Sequence, residues 1–186
     1  MLKKLSCCLI CLICIVCQGQ TNSSRALYLE FYGASIPVGI NFASRFPNSH
    51  FGYRAGLSYT IGDIGEWGNC GKNDDIRGVN VPLEINWLSG SLKKSSHLEI
   101  GVGVNVGFYE HTEEYEDFLS DSYIAHKDKM FGYFVFGNFG YRYQRPRGVL
   151  FRIGFSPKID LGGKYGIGGY VSIFSFVPYL SLGYSF

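Results

Sequence analysis

Residues 174–186 read F-S-F-V-P-Y-L-S-L-G-Y-S-F, and their alternation leaves few ways to fold. In an extended chain Phe174, Phe176, Pro178, Leu180, Leu182, Tyr184 and Phe186 fall on one side. Ser175, Val177, Tyr179, Ser181, Gly183 and Ser185 fall on the other. A helix would scatter both sets around its axis; a strand separates them. One face is apolar and the other small or polar, so the apolar face needs either a second sheet or an apolar solvent against it.

The same period of two recurs upstream, in runs divided by turn residues. Including the last, eight runs are expected: residues 26–33, 38–46, 51–62, 77–88, 97–109, 130–144, 149–160 and 174–186. The fifth is the cleanest, with Leu98, Ile100, Val102, Val104, Val106 and Phe108 against Glu99, Gly101, Gly103, Asn105 and Gly107. The third sets Phe51, Tyr53, Ala55, Leu57, Tyr59 and Ile61 against Gly52, Arg54, Gly56, Ser58 and Thr60. A tight connection through Ser35-Ile36-Pro37 joins the first two runs, and Arg145-Pro-Arg-Gly148 has the composition of a tight turn.

A soluble β-sandwich would turn the opposite face of each strand to water, dense in Lys, Glu, Ser and Thr. Here that face is mostly glycine with isolated charges. Such a face suits a narrow lumen, in which eight strands leave just enough space for side chains and glycines make room for an Arg or Tyr. Short connections at 46–51, 89–96 and 145–148 alternate with long ones at 63–76 and 110–129. That is the pattern of short periplasmic turns and long external loops. Phe46, Phe51, Trp87, Tyr141, Tyr143, Tyr184 and Phe186 then fall near the periplasmic ends of their strands, as an aromatic girdle requires. The expected fold is all-β, an eight-stranded antiparallel up-and-down transmembrane β-barrel.

The start of the chain reads differently. Lys3 and Lys4 precede an apolar stretch, residues 5–16, and Cys17-Gln18-Gly19 offers a small-residue cleavage site. Residues 1–19 are expected to be a secretory signal peptide and residues 20–186 the barrel domain. Five of the six cysteines lie in that signal, leaving Cys70, so no internal disulfide is available to the rest. Acylation at Cys17 is the competing reading, but Cys14-Ile15-Val16 lacks the small residue wanted immediately before it. Without Lys3 and Lys4 the chain is formally neutral, which removes the electrostatic footprint of nucleic-acid binding. No apolar run after Val16 approaches the ~20 residues of a membrane helix.

Five segments carry a likeness: V-P-L-E-I-N-W-L (81–88), H-L-E-I-G-V-G-V (97–104), G-Y-R-Y-Q (140–144), F-R-I-G-F-S-P (151–157) and the terminal V-P-Y-L-S-L-G-Y-S-F. Together they resemble a group of small outer-membrane β-barrel proteins of Gram-negative bacteria and, more distantly, the barrel domains of the OmpA and OmpX type. The resemblance covers nearly all of residues 20–186 and implies a place in the outer membrane, with outer-membrane lipid as surroundings. It also implies that Tyr184 and Phe186 belong to a terminal signal read by the barrel-assembly machinery. Its motifs are structural and imply no activity or cofactor.

Glu30, Glu84 and Glu99 face the lumen, as do Arg54, Arg142 and Arg152. An unpaired charge is expensive there, so pairing across the barrel is expected. The network is either a plug that fills the interior or the charged constriction of a narrow pore for ions or small solutes. Segment 110–129, expected as a loop, holds Glu110, Glu113, Glu114, Glu116, Asp117 and Asp121, a solvated acidic surface or a site for a divalent cation. It lacks the spacing of a calcium loop. His111 and His126, with Ser120, Ser122 and nearby carboxylates, admit a lipid-modifying triad, but proximity in sequence is weak evidence for a triad. Gly101-Val-Gly103 opens no helix and is no dinucleotide fingerprint. The leading expectation is a non-enzymatic barrel with a filled lumen and acidic external loops, in a structural or surface-interaction role.

Overall fold

The computed structural model describes residues 25–35, 37–63, 74–91, 93–117, 122–159 and 175–186. Residues 1–19, expected as a signal peptide, Cys70 and the glycine-rich segment expected at 162–169 lie outside them. Eight strands close into a barrel in sequence order, all antiparallel: β1 Arg25–Tyr32, β2 Val38–Arg45, β3 Phe51–Asp63, β4 Asp74–Leu88, β5 Ser96–Asp117, β6 Ser122–Gln144, β7 Gly148–Ile159 and β8 Ser175–Ser185. β8 closes the seam on β1, with Ala26 opposite Ser185 and Tyr32 opposite Tyr179. Arg25 and Phe186 extend the seam by exchanging both backbone bonds, at 3.3 and 2.9 Å.

Side chains divide as the alternation requires. Along β8, Phe176, Leu180, Leu182, Tyr184 and Phe186 are exposed on the outside, while Val177, Tyr179, Ser181 and Ser185 are buried within. Prolines leave local marks on the ladder because they lack an N–H. The β3–β4 pairing lapses between Ala55↔Leu83 and Ser58↔Asn80, around Pro82. The β6–β7 pairing lapses between Phe136↔Lys158 and Phe139↔Phe155, around Pro157, where the Ser156 hydroxyl donates to the Gly137 carbonyl at 2.8 Å.

The structure corrects the expected boundaries at one end. Segment 110–129 is not a loop: β5 and β6, 22 and 23 residues long, continue through it as a hairpin to Asp117 and Ser122. A strand needs only about 9–11 residues to cross a membrane, so this hairpin far overshoots the barrel wall. Its charged residues take both parities of the strand, which hid it from a search for apolar alternation. The register sets Glu110 opposite Lys129, a pairing of opposite charges that stabilises strands. β4 likewise begins at Asp74, three residues before the expected start at Arg77.

The wall is lowest at β1 and β2, each 8 residues long. Their connection is a single 3-10 turn, Gly33–Ser35, whose three residues are all buried. It tucks into the lumen and does not arch over the rim. Asn105 of β5 donates to the Ala34 carbonyl at 2.6 Å, and the Tyr32 N–H bonds the Pro37 carbonyl at 2.7 Å. Tyr32 and Gly33 both adopt positive φ, 61° and 59°, the left-handed region that turns the chain inward. A Cβ on Gly33 would stand 2.7 Å from Cβ of Tyr179. Replacing Gly33 with Ala should lower the unfolding free energy in lipid vesicles by about 2 kcal/mol, from backbone strain plus this clash. Gly90→Ala shares the positive φ, at 75°, but meets nothing within 4 Å. It should cost less, and equal urea midpoints for the two variants would deny the turn its packed position.

Candidate functional site

The lumen is built in three tiers. At the end holding the termini, Ala26, Tyr28, Ala43 and Leu150 form a buried apolar cluster. At the other end Ala34 of the inserted turn packs with Tyr109, Phe134 and Phe136, with Met130 alongside. The charged side chains lie between.

All six charged residues read from the sequence come together there, each contributed by a different strand. Arg54 of β3 reaches both Glu30 of β1 and Glu84 of β4, its Nε lying 2.7 Å from Glu84 Oε2. Arg152 of β7 joins Glu30, Nη1 to Oε2 at 3.0 Å, to Glu99 of β5, Nε to Oε2 at 2.7 Å. Arg142 of β6 completes the run, Nη1 to Glu99 Oε1 at 2.9 Å. The result is an alternating chain, Glu84–Arg54–Glu30–Arg152–Glu99–Arg142, whose members are all 4% exposed or less.

Neutral groups satisfy much of what remains. Ser35 of the inserted turn donates to Glu30 Oε1 at 2.9 Å, so the turn is tied to the charges beneath it. Asn86 donates to Glu99 Oε1 at 2.9 Å, Asn138 donates to Glu84, and the Tyr28 hydroxyl accepts from Arg152 at 2.8 Å. The Arg152 guanidinium also lies over the rings of Tyr28 and Tyr179, 5.0 and 5.1 Å from their centroids, and that of Arg54 over Phe136 at 5.3 Å. Cation–π contacts of this kind compensate part of the lost hydration. Room for these groups comes from glycine: a Cβ on Gly101 would lie 2.2 Å from Glu84 Oε1, and one on Gly140 2.3 Å from the Tyr179 hydroxyl.

Sequence reading passed over several lumen residues. Phe134, Phe136 and Lys158 share the parity of Asn138 and of Arg152, so strict counting would have placed them inside. Lys158 is 2% exposed, with Nζ 5.0 Å from the centre of the Phe134 ring. Ser35 carried no such signal, because a turn has no period. The acidic segment is described only in part. Glu110 lies 3.7 Å from Lys127 in an exposed pair. The Glu113, Glu114, Glu116 and Asp117 side chains and the whole of Asp121 lie outside the described residues. So do the side chains of His111, Ser122 and His126 and the whole of Ser120. Among the described residues no three metal-ligating side chains converge. Tyr184 and Phe186 point outward beside the seam.

In a charge chain of this kind, removing one member strands its neighbours. Glu84 has no other arginine in the chain, so Arg54→Met should destabilise the barrel by about 3–5 kcal/mol. Adding Glu84→Gln to that variant should recover part of the loss, since the charge left behind is gone. A urea double-mutant cycle in vesicles that returned purely additive effects would mean the pair does not interact.

No protein-family model matches the sequence, and no curated protein matches it. Among solved structures, the chain is similar to the N-terminal β-barrel domain of Pseudomonas aeruginosa OprF, with 12% identity and a TM-score of 0.45 over 89% of this chain and 98% of that one. It is also similar to Ail, the attachment invasion locus protein of Yersinia pestis, with 11% identity and a TM-score of 0.42 over 88% of this chain and 96% of that one.

Proposed function

We propose that the chain is a non-enzymatic integral barrel of the Gram-negative outer membrane, with a closed lumen and a long hairpin displayed outside the cell. The observation that carries the closed lumen is the hydrogen bond joining the buried Gly33–Ser35 turn to the buried six-membered charge chain. An interior of eight strands is only wide enough for side chains, and here those side chains are tied to one another.

Membrane insertion is supported by the outer surface. Leu29, Ile40, Leu57, Ile85, Val102, Phe139, Ile153 and Leu182 are all more than two-fifths exposed, spread over all eight strands. An apolar belt of that extent is untenable in water. Aromatic residues border it at both ends, Phe46, Phe51, Tyr141, Tyr184 and Phe186 at the end of the termini and Tyr32, Tyr59, Phe108 and Phe176 at the other. By the loop-length rule the end of the termini faces the periplasm and the hairpin faces outward. The outward Tyr184 and Phe186 suit recognition by the assembly machinery before the seam closes.

The refolded protein should run as a compact band in SDS until boiled and show negligible conductance in planar bilayers. Regular single-channel currents whose ion selectivity changes with Arg142→Glu would replace the plug with the narrow-pore reading.

A further inference from the structure

Two neighbouring turns at the end of the termini concentrate positive charge. The β4–β5 connection carries Lys93 and Lys94, and the β6–β7 connection carries Arg145 and Arg147, all four exposed. The Gln144 N–H bonds the Ser95 carbonyl at 2.7 Å, so the turns stand side by side. Segments 89–98 and 143–151 contain no Asp or Glu, and neither does the third turn at this end, 46–50. The register adds none: Tyr143, Arg142 and Tyr141 stand opposite Ser96, His97 and Leu98, and Ser185 and Tyr184 stand opposite Gly148 and Val149. Glu99, the first acidic residue along β5, is buried and held by Arg142 and Arg152. Phe186 lies on the β1–β8 seam, where its backbone oxygen takes the Arg25 N–H at 3.3 Å. Its carboxylate is one negative charge at this end against the four cations of the two turns. Among the described residues none of those four has a salt bridge.

Both turns are fixed against the barrel. The buried His97 ring spans the first, with Nδ1 2.9 Å from the Ser89 carbonyl oxygen and Nε2 2.7 Å from that of Lys94. On the second, Arg145 Nε donates to the Tyr143 hydroxyl at 2.8 Å, and between the two Ser96 Oγ lies 2.8 Å from the Tyr141 hydroxyl. Tyr141 and Tyr143 are outward residues of β6, and tyrosines in such a position mark the level where headgroups begin. The next outward residues on the same strands are Leu98, Ile100 and Phe139, all exposed. The cations therefore sit immediately beyond interfacial phenols and an apolar wall, on turns whose shape the barrel sets.

We infer that this pair of turns holds anionic phospholipid, of the phosphatidylglycerol type, in the leaflet around the end of the termini. The headgroup phosphate lies against Lys93, Lys94, Arg145 and Arg147, and the acyl chains lie along the apolar wall beside it. Arginine suits a phosphate because its planar fork donates two parallel bonds. Electrostatic attraction and burial of apolar area add for a lipid. A soluble polyanion would use the charges and leave the adjoining wall unused. The inference rests on the membrane-inserted barrel proposed above.

Trp87, on the outward side of β4 beside the first turn, is a local reporter, and Trp67→Phe makes it the sole tryptophan. The full chain with that change is refolded into vesicles of phosphatidylcholine and phosphatidylglycerol, with one lipid or the other brominated. Trp87 quenching should show phosphatidylglycerol enriched about fivefold over its bulk share, the worth of one basic residue near an anionic surface. The enrichment should fall toward one in about 1 M salt. Replacing Lys93, Lys94, Arg145 and Arg147 with Gln should abolish it, whereas Lys127→Gln with Lys129→Gln, at the other end, should leave it unchanged. Should the fourfold variant lose its compact SDS band, Lys93→Gln with Lys94→Gln decides, with at least half the enrichment lost. If Trp67→Phe itself costs the band, the same series is read with both tryptophans in place. Equal quenching by the two lipids would overturn the inference, as would enrichment that survives loss of the turn charges. Equal quenching together with charge-dependent co-sedimentation on isolated peptidoglycan would overturn it in favour of the cell wall. A wild type lacking the compact band, or quenched by neither lipid, fails the barrel reading itself. A wild type with the band and equal quenching fails only the lipid site.

Discussion

The structure depends on a line of alternating charges placed where water is scarce. Burying a single carboxylate or guanidinium costs several kcal/mol, and mutual attraction offsets this only when geometry and additional hydrogen bonds are good. Here each interior member of the chain touches two opposite charges: Glu30 lies between Arg54 and Arg152, and Arg152 between Glu30 and Glu99. Because the six residues come from β1, β3, β4, β5, β6 and β7, the charges cannot be satisfied until most of the sheet has closed. The network therefore specifies register as much as it contributes stability. A slip of one residue on any of these strands would turn its charge outward into lipid.

The inserted turn is the second consequence. With β1 and β2 so short, the connection between them reaches the lumen at the height of the charge chain, and Ser35 answers Glu30 directly. The same turn brings Ala34 under the aromatic tier of Tyr109, Phe134 and Phe136. One three-residue segment thus joins the polar middle of the barrel to its aromatic cap. The opposite side of the barrel does the reverse, since β5 and β6 run on as a hairpin. The wall is low on one side and tall on the other.

Most of this was legible in the sequence where a strand has lipid on one face and a lumen on the other, because period two then has a physical cause on both sides. The strand number, the outward and inward sets of β3, β5 and β8, and the six lumen charges all follow from it. Glu30 finds its arginines on β3 and β7 and not on its neighbour β8, from which the Ser181 hydroxyl donates to it at 3.4 Å. Legibility failed where one of the two media changes. Above Tyr109 charged residues take both parities of the strand, so the upper parts of β5 and β6 looked like a loop although Glu110 and Lys129 are in register. Inside the lumen a residue need not be polar, so Phe134 and Phe136 were passed over beside Asn138. The turn at Gly33–Ser35 has no period, and only Gly33 hinted at its left-handed backbone.

The central claim, that the β1–β2 connection is part of the barrel's interior, is tested most directly by hydrogen exchange of the lipid-embedded protein. The peptide covering Tyr28 to Pro37 should be protected over hours, at the level of the barrel strands. Exchange within seconds across Gly33–Ser35, with β1 and β2 still protected, would show that the turn lies in water and the lumen is open above the charges.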